Sequence, residues 1–185
     1  MKRVAVLLLI VCMLAGCEKG SKELERGLVL RDKLLSSGCC IDVDITADYG
    51  DKVHTFSMEC QADDKGDMTF SVTAPESIAG ITGSITEEGG KLTFDDVALQ
   101  FDLMADDQIS PVSAPWILLK TLRSGYLISA AVEEEFLRLT IDDSYDEDAL
   151  TLDIWLNDAD IPVRAEILFD GRRIETLSVT NFEIL

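Results

Sequence analysis

Apolar residues in this chain recur at every second position, segment after segment, and that period fits strands rather than helices. Ile41, Val43, Ile45 and Ala47 alternate with Asp42, Asp44, Thr46 and Asp48, and after Tyr49-Gly50-Asp51-Lys52 the pattern returns through Phe56, Met58 and Cys60. A two-residue turn at Gly50-Asp51 pairs Ile45 with Phe56, Val43 with Met58 and Ile41 with Cys60, collecting the apolar side chains of the hairpin on one face. Met68, Phe70 and Val72 predict a third strand over residues 67–74, ended by Pro75. The run 78–86 also reads as strand, but Gly80 and Gly83 mark a bend or a close backbone approach within it. Gly89-Gly90 turns the chain into 91–95, and Val97, Leu99, Phe101 and Leu103 form the next strand. Beyond residue 125 the alternating sets are Tyr126, Ile128, Ala130 and Val132; then 136–141; then Leu150, Leu152, Ile154 and Leu156; then Val163, Ala165, Ile167 and Phe169. Asp170-Gly171 turns the last of these into a strand over 172–182. About ten antiparallel strands result, each with one apolar and one polar face.

Only two segments read as helix. Residues 21–37 carry Leu24, Leu28, Leu34 and Leu35 at near-helical spacing, with Gly38 as a stop. Ser110-Pro111 is a helix start, and the segment runs to Ser124 with Trp116, Leu119 and Leu118 or Leu122 inward and Gly125 as its stop. A twisted open sheet of about ten strands curls or splits rather than lying flat. The expected fold is therefore mainly β, of α+β type: an incomplete antiparallel barrel curved around a helical lid. Its concave side holds either a side-chain-filled core or an apolar ligand site. The residues expected toward a ligand there are Phe70, Val72, Leu99, Phe101, Trp116, Leu119, Ile128, Leu152 and Ile154.

The N-terminus is of a different kind. Lys2-Arg3 precedes an apolar stretch from Val4 to Leu14, too short for a spanning helix of about 20 residues, and Leu14-Ala15-Gly16-Cys17 closes it. That tetrapeptide resembles the lipobox of bacterial lipoproteins. The resemblance implies diacylglycerol on the Cys17 thiol, cleavage of residues 1–16 as signal peptide, and palmitate or a similar acyl group on the new amino terminus. Residues 17–21 then serve as a lipidated tether and 22–185 as one domain, held on the extracytoplasmic side of the cell membrane. Two or three acyl chains hold a protein there without help from a basic surface. None is present: 16 Lys and Arg face 35 Asp and Glu, a net charge of −19, and the loss of Lys2 and Arg3 with the signal makes the remainder more acidic. Such a body is repelled by anionic headgroups and stands off from the bilayer. The same charge excludes nucleic acid as a partner, since phosphate contacts need Lys and Arg.

With Cys12 in the signal and Cys17 lipidated, Cys39, Cys40 and Cys60 remain. An exported compartment permits disulfides. The hairpin register puts Cys39 on the face of Cys60 as a diagonal neighbour, so Cys39–Cys60 is the expected bridge; a one-residue shift would favour Cys40, and three unpaired buried thiols are the other alternative. His54 is the only His and has no nucleophile motif beside it, which argues against a triad. The runs Asp142-Asp143-Ser144-Tyr145-Asp146-Glu147-Asp148 and Asp158-Ala159-Asp160 lack EF-hand spacing and read as solvated hairpin loops. No metal site and no cofactor are expected. Trp155 is out of phase with Ile154 and Leu156, so it is either an exposed contact residue or covered by a neighbouring element.

Taken in order, the lipobox, the N-terminal helix, the first hairpin, Phe70-Ser71-Val72-Thr73-Ala74-Pro75, Ile78-Ala79-Gly80-Ile81-Thr82-Gly83, the Ser110-Pro111 helix and the closing hairpin from Ile161-Pro162-Val163 to Asn181-Phe182 resemble the LolA/LolB-like lipoprotein-carrier superfamily. The resemblance covers nearly the whole chain after the signal. It implies a half-barrel that binds acyl chains or other apolar molecules on its concave side. Soluble carriers of that superfamily leave the membrane with cargo, whereas a chain tethered through Cys17 stays, and no long exposed apolar loop is present for inserting into a membrane. The expected function is thus a tethered, non-enzymatic binder of a lipid or other apolar ligand in the cell envelope. The alternative is an envelope interaction or sensory lipoprotein that docks a protein partner through Trp155 or the acidic loops.

Overall fold

The computed structural model describes residues 18–105, 108–146 and 148–185; the expected signal peptide and the expected lipobox residues Leu14, Ala15, Gly16 and Cys17 lie outside them. Eleven strands form one antiparallel sheet. In chain order they are β1 (Cys39–Asp48), β2 (Val53–Ala62), β3 (Met68–Ala74), β4 (Thr82–Thr86), β5 (Gly89–Phe94), β6 (Val97–Phe101), β9 (Tyr126–Glu133), β10 (Phe136–Asp142), β11 (Leu150–Leu156), β12 (Pro162–Phe169) and β13 (Arg172–Ile184), with a separate small hairpin β7 (Met104–Ala105) and β8 (Gln108–Ile109). Across the sheet the order is β6-β5-β4-β3-β2-β1-β13-β12-β11-β10-β9. The chain meanders out to β6 at one edge. It then crosses to β9 at the other edge through β7, β8, a 3-10 turn (Pro111–Ser113) and a helix, and meanders back until β13 pairs with β1. Because β6 and β9 do not pair, the barrel is incomplete, as the alternation and the two helices predict.

The first hairpin adopts the predicted register: Ile45 opposite Phe56, Val43 opposite Met58, Ile41 opposite Cys60. Asp170 and Gly171 both take positive φ, 48° and 70°, the geometry a tight hairpin turn demands. The Cys39–Cys60 bridge is not formed: all three thiols are free. Cys39 lies opposite Ala62, one diagonal step from Cys60. Diagonal positions stand roughly 7–8 Å apart, beyond the reach of an unstrained disulfide. Burial pushes the Cys39 thiol up to about 11, with Arg123 pulling it back, and pushes Cys60 higher still.

Two glycines admit aromatic rings. A Cβ at Gly83 would meet the Phe70 ring, and one at Gly90 would meet the Phe101 ring, so each ring lies over the glycine of the adjacent strand.

Helix α1 (Glu18–Ser36) includes residues 18–21, which the sequence alone assigns to a polar tether. Its inward stripe is Gly27, Leu30 and Leu34; Leu28 and Leu35, predicted to face in, are exposed. Gly27 is what permits this: a Cβ there would stand 3.1 Å from both Leu139 methyls on β10. Two arginines bolt α1 in place. Arg26 Nε donates to Asp160 Oδ1 at 2.6 Å, so this member of the Asp158-Ala159-Asp160 turn is an ion-pair partner and not a solvated carboxylate. Arg31 donates from Nε to Leu122 O at 2.8 Å and from Nη2 to Gly125 O at 2.7 Å, satisfying carbonyls at the end of helix α2 (Ala114–Ser124). Helix α2 follows the 3-10 turn rather than starting at Pro111, and nine of its eleven residues are buried. It is the filling of the barrel's middle more than a movable cover.

Candidate functional site

Where α2 fills the barrel, the concave face is core. Leu152 and Ile154 are fully buried and Phe70 nearly so. Trp116 and Leu119 are buried as well; Trp116 Nε1 donates to Gly66 O at 3.0 Å, fastening α2 to the turn between β2 and β3. Among the residues expected toward a ligand, these five pack the fold. Ile128 is displaced by a bulge: Leu127 pairs with Ile141 and Ser129 with Thr140, leaving Ile128 without a partner. The β9 residues that pack inward are therefore Leu127 and Ala130; Ile128 is exposed, and so is Val132, although it pairs with Leu137. Leu99 keeps the predicted face, opposite Leu92, but lies open at the edge, and the Phe101 ring is taken up by Gly90.

The helices leave the β2–β5 side uncovered, and a cavity of about 600 Å³ opens there. The β1–β2 turn supplies Tyr49, Asp51 and Lys52; β2 supplies His54 and Phe56; β3 supplies Val72. Ile78 and Ile81 come from the segment that Gly80, at a φ of 90°, bends ahead of β4; Leu92 comes from β5; Pro111 and Val112 of the 3-10 turn form the opposite wall. Val72 is the one residue of the nine expected toward a ligand that lines this space. The size suits a small apolar ligand, and the lining is mainly aliphatic with polar groups confined to the β1–β2 end. Phe56 and Leu92 carry the alternation visible in the sequence. Ile78 and Ile81 fall in the part of the expected strand 78–86 that is a turn instead, β4 starting only at Thr82, and Val112 lies in the 3-10 turn.

Beneath the mouth lies a buried carboxyl. Glu175 sits on the inward face of β13, between Ala47 of β1 and Ile167 of β12, with 0% exposure. Burial pushes its carboxyl up to about 8, with the Tyr49 hydroxyl acting in the opposite direction. Tyr49 donates to Ile109 O at 2.6 Å and stands 3.5 Å from Glu175 Oε1; Glu175 Oε2 has no partner. The Tyr49 hydroxyl is itself shifted upward by burial and by Glu175. This chain of contacts holds Ile109, two residues before Pro111, against the sheet.

On the convex face, Trp155 is only 8% exposed. The guanidinium carbons of Arg138 and Arg164, on the two neighbouring strands, stand 5.6 and 4.6 Å from the centroid of its ring. Arg138 also donates to Asp153 at 2.9 Å and to Glu133 at 3.1 Å, while Glu166 accepts from Arg164 and Arg173. The exposed-contact reading of Trp155 is thereby corrected: neighbouring strands cover it. Among the described residues no group of three or more His, Cys, Asp or Glu is placed to hold a metal ion, and no helix is long and apolar enough to cross a membrane.

No family model matches the chain, and no curated protein matches it. Solved structures do resemble it. An uncharacterised conserved protein from Thermus thermophilus is 15% identical, with 88% of this chain and 87% of that one covered and a TM-score of 0.50. A LolA superfamily protein from Nitrosomonas europaea is 8% identical, covering 86% and 93% at a TM-score of 0.44. A putative outer membrane lipoprotein-sorting protein domain from Vibrio parahaemolyticus is 7% identical, covering 90% and 93% at 0.48. The likeness is one of fold alone, an open antiparallel barrel around helices.

Proposed function

We propose that the protein is a membrane-tethered, non-enzymatic binder of a lipid or other apolar ligand, acting on the extracytoplasmic side of a bacterial membrane. The observation that carries this reading is the aliphatic cavity of about 600 Å³ bounded by Phe56, Val72, Ile78, Ile81, Leu92 and Val112. Apolar area withdrawn from water there contributes about 25 cal/mol per Å² to affinity before the costs of association. The tether is Cys17, carried over from the lipobox, and with an acidic body it keeps the cavity near the membrane without laying it flat on the surface.

Two measurements test the reading. Mature protein stripped of bound lipid is titrated with cis-parinaric acid: saturable binding at one site is expected, and no binding overturns the ligand assignment. The Cys17→Ala variant is fractionated from cells: it is expected in the soluble fraction, and quantitative recovery with membranes contradicts the anchor.

A further inference from the structure

We infer that the ligand is a single-chain amphiphile whose tail leaves the cavity over Leu92 and lies on an exposed apolar strip at the edge of the sheet, formed by Leu99, Phe94 and Val97. This rests on the cavity being the ligand site. Leu92 lines the cavity and is the lining residue nearest the β6 edge; directly opposite it on β6, on the same face, stands Leu99. The next pair on that face is Phe94 with Val97. Alternation makes the strip a continuation of the cavity wall, yet Phe94, Val97 and Leu99 are 45%, 59% and 61% exposed. Three adjacent large apolar side chains left open are not the scattered exposure of an ordinary surface.

The direction follows from the sheet order. The polar groups Tyr49, Asp51, Lys52 and His54 mark the β1–β2 end of the cavity. From β2 to β5 the wall spans three interstrand steps of about 4.8 Å, roughly 14 Å, and β6 adds one more. A head at the β1–β2 turn and a tail crossing the strands would use both ends. Charge argues against other occupants. Asp95 and Asp96, both at positive φ, form the turn that joins Phe94 to Val97, and the whole chain carries −19. A second copy would bring the same acids to the same edge, and an anionic bilayer surface would be repelled by them. An alkyl chain brings no charge.

The test compares dodecanoate with stearate on the mature protein and on Val97→Ser/Leu99→Ser, by calorimetry below the micellar concentration of each. A methylene withdrawn from water changes Kd about fourfold. Partial burial of several methylenes on the strip is therefore expected to make the double variant lose at least about tenfold in stearate affinity, with dodecanoate changed less than about twofold. Equal loss for both probes, or loss for neither, overturns the strip while leaving the cavity reading intact. Failure of the unaltered protein to bind either probe overturns both. A wild-type dimer that the same substitutions dissolve, or binding to phosphatidylcholine vesicles that they abolish, assigns the strip to a second copy or to the bilayer and likewise overturns the proposal.

Discussion

Glu175→Gln is expected to be more stable than the unaltered protein at alkaline pH, by a margin that grows from mildly acidic conditions up to a pH of about 8. In the fold the carboxyl keeps its proton up to about 8, against 4.5 ordinarily, because burial opposes its charge. Below 4.5 the residue is neutral in both folded and unfolded chains and its titration leaves stability unchanged. Between the two values the unfolded chain releases the proton and the folded one does not, so folding weakens by about 1.4 kcal/mol per pH unit. Above about 8 both states are ionised and the penalty levels off. Glutamine removes the titration and keeps the shape. Urea unfolding at about pH 5 and about pH 9 should show the gap between the proteins widening by on the order of 3–5 kcal/mol. A gap independent of pH would mean that Glu175 reaches water. Other carboxylates also titrate, and the difference between the two proteins cancels them.

Ile81→Trp should block the ligand site and spare the fold. Ile81 is half-buried on the cavity wall, outside the strands, so an indole can enter the open space without disturbing the sheet register. Filling that volume removes the apolar surface a ligand would bury. The expected loss is about 2–3 kcal/mol of binding free energy, or roughly a hundredfold in Kd for a fatty acid. The melting temperature should hold or rise, since a filled cavity gains contacts. Unchanged affinity in a folded variant would place the ligand elsewhere.

How far the sequence could be read differs between these two sites. The period-two alternation is a local property, so the β1–β2 register, with Ile45 opposite Phe56, was legible residue by residue. The open barrel followed from the number of strands and the shortage of helices. The bulge at Ile128 was not legible, because an extra residue in one strand shifts the face of its neighbours and shows only against the partner β10. The α1 stripe differs from its spacing for a related reason: Leu28 and Leu35 keep helical spacing, but Gly27 allows the opposite side of the helix to approach Leu139. Nor could alternation separate wall from core. Val72 and Ile154 have the same local pattern; what distinguishes them is that α2 fills the barrel's middle and leaves the β2–β5 side open. Glu175 was hidden differently. It occupies an inward position in an otherwise apolar set, and a single acid on the core face is visible only once Ala47 and Ile167 are known to flank it.

Native mass spectrometry of the protein extracted from its own membrane in mild detergent shows whether the cavity is occupied in the cell. A population carrying one apolar ligand in addition to the covalent acyl groups is expected, and Ile81→Trp is expected to come out without it. Bare protein in both cases, from a preparation that also refuses added fatty acid, would contradict ligand binding in the cavity.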